Sequence, residues 1–381
     1  MVNQTEISVK KVVSKQDLKL FVKLPWTLYT GNKHWVPPII SEQLELLTPG
    51  KNPFWDNAER ELFLAYKGNT LVGRIAAIIS KKYNRLHSEK MGFFGFYESI
   101  NDEDVAAALY RACEQWLALR KMTYMRGPMN PNINETIGFL VEGSDEDPFV
   151  MMPYTLPCYP RLTEAQGFKK VKDVYAYWAE TEKGMPKKVE RIVKLLKKRY
   201  NIKVRHIDMK NLVGEASLIK KVHDEAWKEN WGAVPFTKAE FEHTVMQLKS
   251  IAVPDLVPIV ELDGKIVAMA VAVPDVNQIL GFANGRLFPF GFLKVLFNQG
   301  KINRVRILIL GVISKYRRYG FDALLYYEIF KAARKHGYIG GEFSWILEDN
   351  VDMIRIIERW GGIKTKTYRI YQKPIKKPLS A

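Results

Sequence analysis

The sequence predicts an α+β protein built from two tandem domains of the same kind, each a mixed, mostly antiparallel sheet flanked by helices. Three observations lead to this prediction. The chain has 381 residues, which is more than a single hydrophobic core usually accommodates. Short apolar strands alternate along it with segments that carry apolar residues at helical spacing. The two halves also repeat the same landmarks in the same order, as expected of a duplicated fold.

Each half contains a predicted β-hairpin. Residues 61–80 form two apolar strands joined by a Gly-Asn turn, and residues 256–273 form the same arrangement around an Asp-Gly turn. The turn glycines, Gly68 and Gly264, lie 196 residues apart. The hairpins therefore give the first pair of equivalent landmarks.

Each half also contains a predicted helix, glycine corner and strand in succession, at residues 159–180 and 353–373. The corner glycines, Gly167 and Gly361, lie 194 residues apart, close to the offset between the hairpins. Between the landmarks, apolar residues at helical spacing predict a helix at 103–121 in the first half and another at 320–337 in the second.

A basic amphipathic helix is predicted between the two halves. Residues 185–201 carry seven Lys or Arg, with an apolar stripe of Val189, Ile192, Val193 and Leu196. Either the stripe packs on a domain while the basic face is solvated, or the helix contacts anionic lipid head groups. We place the domains at residues 1–183 and 202–381, with the linker helix at 184–201.

Composition indicates a cytoplasmic globular protein. Apolar residues make up 47% of the chain and charged residues 26%. The two cysteines, Cys113 and Cys158, are far apart, the first residues show no secretory signal, and no apolar run is long enough to span a bilayer. Peripheral contact with a membrane stays open.

The net charge of +17 predicts an anionic partner, which could be nucleic acid, anionic lipid or a polyanionic cofactor. The chain has no zinc-ligand spacing, no basic region joined to heptads and no aromatic RNA-binding signature. Nucleic acid is therefore disfavoured, and no metal is expected. The remaining choices are an anionic membrane surface and a phosphorylated cofactor.

One segment carries most of the chemical information. At 304–330 an apolar strand runs into a basic, glycine-containing loop, and an amphipathic helix begins at once. We call this strand end, loop and helix start the cradle. The first amides of a helix have no intrahelical acceptor and lie at the positive end of its dipole, so they bind anions. Lys315, Arg317 and Arg318 add donors suited to a pyrophosphate.

This segment resembles the coenzyme A loop of the GCN5-related N-acyltransferases, the GNAT superfamily, whose pattern is like V-x-x-x-Y-[RQ]-x-x-G-x-[GA]. Val312, Tyr316, Arg317 and Gly320 match in register, whereas Asp322 stands where the family has Gly or Ala. A second landmark follows at 341–373, with Asn at a helix start and two glycines at the corner.

The resemblance implies an acyltransferase that takes acetyl-CoA or a longer acyl-CoA. It also implies that the strand before the loop separates from its neighbour, with an oxyanion site at Gly311 and the adjacent amides. The residues that it assigns to the cofactor are Leu310, Val312, Lys315, Arg317, Arg318, Tyr319, Gly320, Phe321, Asp322, Ala323 and Asn350. The tyrosine with which many relatives protonate the thiolate is replaced by Ile357.

Proton carriers must then come from elsewhere. Asp275 follows the second strand of the C-terminal hairpin and Glu348 follows a later strand, so either could act as general base, or could serve as a turn or capping residue. His223 lies on a predicted helix and is either a base or a partly buried histidine with satisfied hydrogen bonds.

The acceptor side is predicted from aromatic and amide residues. The resemblance places the amine near 226–237. Further candidates lie in the long proline-rich loop 126–162 and after the second strand of the C-terminal hairpin. The candidate residues are Trp227, Trp231, Phe236, Asn277, Asn132 and Asn134. A Phe-rich insert at 281–301 is either core, a slot for an aliphatic chain or a contact with a bilayer. The acceptor is expected to be a small or lipid-like amine.

The N-terminal domain is expected to have lost its cofactor. Glu98, Asp102, Glu103 and Asp104 precede or begin its helix, where carboxylates cap amides and repel a pyrophosphate. Tandem relatives with one working cradle include the peptidoglycan-branching and N-myristoyl transferases. The whole chain is also similar to bacterial ceramide-synthase-like acyltransferases, which join a fatty acyl group to a long-chain base.

Two alternatives to an acyl-CoA-dependent N-acyltransferase remain from the sequence. The first is a non-catalytic acyl-CoA or lipid sensor, which the missing tyrosine permits. The second is a transferase that uses a charged tRNA, which the basic surface would suit but the coenzyme A cradle disfavours.

Overall fold

A computed structural model describes residues 6–376 of the chain. Its strands are β1 (Ile7–Lys11), β2 (Ala58–Lys67), β3 (Thr70–Ser80), β4 (Met91–Ser99), β5 (Tyr124–Gly127), β6 (Met129–Asn130), β7 (Thr136–Ile137), β8 (Phe139–Glu142), β9 (Lys169–Glu180), β10 (Ile202–His206), β11 (Pro258–Leu262), β12 (Lys265–Pro274), β13 (Arg304–Val312), β14 (Gly340–Leu347) and β15 (Ile363–Pro374). Its α-helices are α1 (Lys15–Leu28), α2 (Ile40–Leu46), α3 (Lys81–His87), α4 (Glu103–Leu119), α5 (Tyr159–Glu164), α6 (Lys187–Arg199), α7 (Leu212–Trp227), α8 (Lys238–Leu248), α9 (Asn277–Leu280), α10 (Gly291–Asn298), α11 (Phe321–Lys335) and α12 (Val351–Arg359).

The chain divides into two compact units. Unit 1 comprises Met1–Val174, Leu280–Lys294 and Lys366–Ala381, and unit 2 comprises Tyr175–Ile279 and Val295–Thr365. Strands β9 and β15 each begin in one unit and end in the other. Segments 280–294 and 366–376, which the sequence boundaries place in the second domain, thus belong to unit 1 by their contacts. The boundaries of the two domains stay a prediction.

Unit 1 is a mostly antiparallel sheet with helices on its faces. From its edge the order is β1-β2-β3-β4-β5-β15, and β8 also pairs with β15. Only the β4–β5 pair among these described strands of the unit is parallel. Apolar residues of α4 and the sheet form one aromatic-rich core that includes Phe94, Tyr110 and Tyr159.

Unit 2 repeats this plan. Its sheet order is β10-β11-β12-β13-β14, again antiparallel except for the pair β13–β14. Helix α11 packs on one face of the sheet, in a core with Leu324 and Phe343, and α7 and α8 pack on the other, around Ile219 and Phe241. The predicted α+β fold, two similar mixed sheets flanked by helices, is confirmed.

The predicted landmarks of both halves are present. Both hairpins form, as β2–β3 and β11–β12. In the second, Asp263 and Gly264 both have positive φ, which is the conformation that a tight two-residue hairpin turn requires. The two predicted helices are α4 and α11, and both helix–corner–strand segments are observed at α5–β9 and α12–β15.

The basic linker helix is α6, and its apolar stripe is occupied. Val189, Val193 and Leu196 are buried in the core of unit 2, and Ile192 packs against that core. Its Lys and Arg residues are mostly exposed. The structure therefore agrees with a helix packed by its stripe. Within residues 6–376, no helix combines the length and the apolar character needed to cross a bilayer.

Candidate active site

Strand β13 separates from β14 halfway along its length. The two strands pair in parallel from Arg304 with Gly340 to Ile307 with Phe343, although β13 continues to Val312 and β14 to Leu347. The second half of β13 is partly exposed where it leaves its neighbour. An open edge of main chain therefore lies directly before the basic loop, as the family resemblance implies.

The register of β13 shows which amides face this open edge. The N–H of Ile313 donates to the carbonyl of Val267, so this residue points toward the β12 side. Orientation alternates along a strand, so the N–H groups of Val312 and Leu310 point to the edge that β14 has left, whereas that of Gly311 points to β12. The two flanking amides, and not the amide of Gly311, are placed for an oxyanion.

Gly311 has a different role in the structure. A Cβ atom there would lie 2.3 Å from Cζ3 of Trp227, so the indole packs directly on the glycine backbone. The ring of His223 stacks on Trp227 with a centroid distance of 4.8 Å, and Phe236 lies 5.4 Å from the same histidine. Trp227 and Phe236 thus belong to one aromatic wall beside the end of β13, as predicted for the acceptor side.

His223 is buried and only partly satisfied. Its Nδ1 has no hydrogen-bond partner within the described residues, and the carboxylate of Asp224 is 3.5 Å away. The histidine therefore helps to build the aromatic wall and does not have the saturated hydrogen bonds of an ordinary core histidine. The third predicted aromatic residue, Trp231, lies just beyond α7 and is partly exposed.

The basic loop forms a compact turn. Arg318 and Gly320 both have positive φ, so successive amides converge before the first turn of α11. Lys315 and Arg318 are exposed at this turn. The hydroxyl of Ser314 is buried without a partner in the part of the chain that the structure describes. The loop thus combines convergent amides, positive charge and one unused polar group.

Several predicted cofactor residues contribute only their main chain. Phe321 and Ala323 are buried in the core, so only their helix-start amides face outward. Tyr319 stacks on Phe321, with ring planes 13° apart. The guanidinium of Arg317 donates to the carbonyl of Ala226, at 2.8 Å, and to Glu229. Arg317 therefore fixes the loop to the end of α7 in this structure.

Asp322 is the departure from the family pattern with a visible consequence. Burial raises the pKa of its carboxyl, and the nearby main-chain amides of Ala323 and Asp322 oppose this by favouring the ionised form. The carboxylate therefore lies close to amides that a phosphate would use. The acid replaces part of the anion site with a charge of the same sign as the expected ligand.

A cavity of about 130 Å³ adjoins these amides. Gly320, Asp322 and Ala323 line one side, and Trp360 and Arg359 of α12 line another. The remaining wall is α6, whose Ile192 lies 3.0 Å from the position that a Cβ at Gly320 would take. The start of α11 therefore borders a small pocket with one arginine in its lining.

The two predicted bases, Asp275 and Glu348, lie at opposite ends of the strands. Asp275 follows β12, which is antiparallel to β13, so it lies beside the first residue of β13 and forms a buried ion pair with Arg304 at 2.9 Å. The open edge is about 25 Å away along the strand, at about 3.3 Å per residue. The structure does not bring Asp275, or the nearby Asn277, to the cradle.

Glu348 lies at the same end of the strands as the basic loop. It follows β14, which is parallel to β13, and so lies at the end where Val312 finishes β13. Its side chain is partly buried. Asn350 caps α12 by accepting a hydrogen bond from Met353, at 3.3 Å, and Ile357 is fully buried. The family's tyrosine position is therefore part of the core in this chain.

A buried polar group that the sequence reasoning missed lies where β13 and β14 separate. Arg306 donates to the hydroxyl and the carbonyl of Ser344, and that hydroxyl donates to Glu342 at 2.7 Å. All three residues are nearly inaccessible to solvent. A signal existed, since Arg306 and Glu342 interrupt otherwise apolar strands.

In unit 1 the equivalent edge is filled. Strands β4 and β5 pair from Met91 to Phe93 and then separate, but the side chain of Asn130 occupies the opening and accepts a hydrogen bond from the N–H of Phe96 at 2.6 Å. A Cβ at Gly95 would lie 1.8 Å from the carbonyl oxygen of Met129. No thioester could reach the β4 amides along this path.

The acidic residues of unit 1 have two different roles. Asp102 caps α4 through the amides of Asp104 and Val105, and Glu103 lies in the first turn, as predicted. Glu98 instead points into the core, where it accepts hydrogen bonds from Tyr29 and Tyr159. The expectation that Glu98 crowds the helix start was wrong, because its position on β4 faces inward.

The predicted substrate residues Asn132 and Asn134 lie in a loop of unit 1. The side chain of Asn132 accepts a hydrogen bond from the main chain of Asn134 at 2.7 Å, which stabilises a local turn. Their role in substrate binding stays a prediction.

Comparison with known proteins gives two close relatives over almost the whole chain. A bacterial ceramide synthase from Caulobacter vibrioides (strain NA1000 / CB15N) is 36% identical over 380 residues, covering 97% of this chain and 98% of that protein. Protein YghO from Escherichia coli (strain K12) is 34% identical, covering 96% and 95% respectively. No family model matches the chain.

Solved structures show the same fold at low sequence identity. A tandem GNAT protein from the clavulanic acid biosynthesis pathway superposes with a TM-score of 0.59 at 10% identity and covers 98% of this chain and 100% of that one. A GCN5-related N-acetyltransferase from Sphaerobacter thermophilus gives a TM-score of 0.55 at 13% identity and covers 98% of both chains. Both structures match the described sheets and helices as a whole.

Proposed function

The chain belongs to the GNAT superfamily of acyltransferases, in one group with bacterial ceramide synthase and Protein YghO, and from that premise we propose that it transfers an acyl group from coenzyme A to a long-chain amine. The observation that carries this proposal is the open edge of β13 immediately before the basic loop. The name of the Caulobacter relative supports a lipid-like acceptor and a fatty acyl group.

The residues around the open edge fit a coenzyme A thioester. Converging amides at Arg318–Gly320 and the start of α11 suit a pyrophosphate, with Lys315 and Arg318 as charged donors. The unused hydroxyl of Ser314 is a further donor. Asp322 opposes the fit, but it is one carboxylate against several donors and its pKa is raised. We expect binding that is weaker than a cradle with Gly or Ala would give.

The acyl carbonyl is bound by main-chain donors in this proposal. The thioester supplies an activated carbonyl carbon, which the amine nitrogen attacks while the carbon–sulfur bond breaks. The N–H groups of Leu310 and Val312 lie on the open edge and stabilise negative charge on the carbonyl oxygen. Because these donors are part of a sheet, they need little reorganisation during the reaction.

Proton transfer requires one base and one acid. Glu348, at the edge beside Val312, takes the proton that the attacking amine loses; Asp275 is too distant. With Ile357 in the core, the hydroxyl of Ser314 is our candidate to donate a hydrogen bond to the departing thiolate, which then takes the proton that Glu348 removed from the amine. Trp227 and Phe236 would then contact the aliphatic part of the acceptor.

Glu348→Gln tests this assignment with Asp349→Asn as the matched control. The assay incubates a long-chain acyl-CoA with a panel of amines that includes sphingoid bases, and it measures free thiol and amide product. Loss of a general base should lower kcat by about 10²-fold or more, while the control keeps near-native activity.

A non-catalytic sensor is the alternative that the buried Ile357 and Asp322 favour. Thiol release that no amine accelerates in the wild-type protein, together with stoichiometric acyl-CoA binding, would support the sensor and contradict acyl transfer. Equal activity of Glu348→Gln and Asp349→Asn would instead remove Glu348 from the mechanism.

A further inference from the structure

The Phe-rich insert between β12 and β13 presents a large exposed apolar surface. Six large apolar side chains within ten residues are at least 43% exposed, and Phe288 and Phe297 reach 81% and 82%. The six residues are Phe288, Phe290, Phe292, Leu293, Leu296 and Phe297. Helix α10 has no buried residue. Monomeric soluble proteins rarely expose such a continuous apolar segment without a function.

The insert is a folded element with a fixed base. Its buried base is formed by Ala283 and Gly285. The carbonyl of Gly285 accepts a hydrogen bond from the N–H of Ile40 at 2.9 Å, and Trp26 donates to the side chain of Asn284 at 3.0 Å. A Cβ at Gly285 would lie 2.3 Å from the Trp26 ring. Phe288, Phe290 and Phe292 therefore follow an anchored base within unit 1, whereas Phe297 belongs to unit 2.

The charges within this segment of the chain are of one sign. Between Asp275 and Asp322 the chain has eight Lys or Arg residues and no Asp or Glu, although the whole chain contains 41 acidic residues. Within the insert, Arg286, Lys294 and Lys301 are exposed. An apolar segment whose own charged residues are all basic is complementary to an interface of acyl chains under anionic head groups.

We infer that residues 286–301, the insert surface, dock the protein on an anionic lipid bilayer. The aromatic and aliphatic side chains enter the head-group region, and Arg286, Lys294 and Lys301 contact lipid phosphates. A partner protein surface would need acidic groups around an apolar groove, whereas a bilayer supplies both features everywhere. Docking does not depend on the proposed acyl transfer, but it would give a membrane-bound amine short access to the enzyme.

Vesicle flotation tests the inference with the full chain and no substrate present. Wild-type protein should float with phosphatidylcholine vesicles that contain phosphatidylglycerol, and binding should fall with phosphatidylcholine alone or at high salt. Phe288→Ser combined with Phe297→Ser should lower the partition coefficient by about tenfold or more, because two large apolar contacts are lost. Lys294→Gln combined with Lys301→Gln should weaken binding only to the anionic vesicles.

The matched control is Leu119→Ser combined with Val213→Ser, which removes two side chains that are 76% and 66% exposed outside the insert. This variant should float like wild type, and thermal unfolding checks that each variant is folded. Equal flotation of the Phe variant and wild type would overturn the inference. So would a wild-type dimer that the Phe substitutions dissociate without any vesicle binding, since the surface would then join two copies. An amine acylated normally in detergent by the Phe variant would leave the proposed function intact.

Discussion

Asp322 shows how one side chain alters a binding site whose main chain is otherwise suitable. It stands at the second position of α11, where its carboxylate lies close to the amides of Asp322 and Ala323. A Gly or Ala at this position would leave those amides to a ligand. The residue thus stabilises the unliganded helix start while competing with the phosphate for the same donors.

Asp322→Asn should therefore strengthen coenzyme A binding. Removing one negative charge a few ångströms from a pyrophosphate is worth about 1 kcal/mol at a solvated site, or roughly fivefold in Kd. Burial raises the pKa of Asp322 above the usual Asp value of about 3.9. As the pH falls toward that value, the carboxylate gains a proton and the affinity of the wild type for coenzyme A should rise. The Asn variant should lack this dependence.

Calorimetric titration across pH measures both effects. Asp352→Asn is the matched control, because Asp352 lies in the first turn of α12 and is exposed. An unchanged or weaker affinity in Asp322→Asn would show that the carboxylate helps to bind the cofactor or that the nucleotide lies elsewhere.

At the scale of elements, a single carboxylate joins four parts of unit 1. Glu98 of β4 accepts hydrogen bonds from Tyr29, which ends α1, at 3.0 Å and from Tyr159 of α5 at 2.7 Å. Arg74 of β3 is 3.6 Å away and also donates to the carbonyl of Phe21 in α1. The cluster is buried, and burial raises the pKa of Glu98 and of both tyrosines.

Glu98→Ala should lower the free energy of unfolding by about 3–5 kcal/mol, because it leaves the buried Arg74 charge without its partner. Glu103→Ala should change it little, since that carboxylate is 58% exposed and pairs with Arg161 at the surface. Denaturant unfolding measures both. A loss below about 1 kcal/mol for Glu98→Ala would mean that water or another group satisfies Arg74.

For the whole molecule, the two units give opposite expectations at equivalent edges. Unit 2 leaves the amides of Leu310 and Val312 on an open edge, whereas Asn130 fills that of unit 1. Lys315 and Arg318 lie before the start of α11 in unit 2, whereas Asp102 caps α4 in unit 1. We therefore expect the repeated fold to provide one cofactor site and one closed copy.

We predict one coenzyme A per chain. Isothermal titration should give a stoichiometry of one, and Lys315→Ala combined with Arg318→Ala should weaken this site by about tenfold or more, as expected for two charge-assisted contacts. Lys210→Ala combined with Lys249→Ala, at exposed positions elsewhere in unit 2, should leave it unchanged. Two equivalent sites per chain would contradict the roles assigned to the two units.

Local signals in the sequence were sufficient for the repeated plan of the fold. Turn residues such as Asp263 and Gly264 require their conformation by local sterics, and helices α4 and α11 follow from apolar spacing. The cradle was also predictable, because a strand, a basic glycine loop and a helix start are contiguous in the chain. These features depend on neighbours within a few residues.

The tertiary structure decided which strand ends share an edge. Asp275 and Glu348 look alike in sequence, as acids just after apolar strands, but β12 is antiparallel to β13 and β14 is parallel to it. The residues that follow β12 and β14 therefore lie at opposite ends of the strands. Likewise, the inward position of Glu98, the burial of Asp322 and the exposure of the Phe-rich insert all depend on pairing between distant segments. Strand direction and side-chain facing are set by those long-range pairings, which no local pattern of residues encodes.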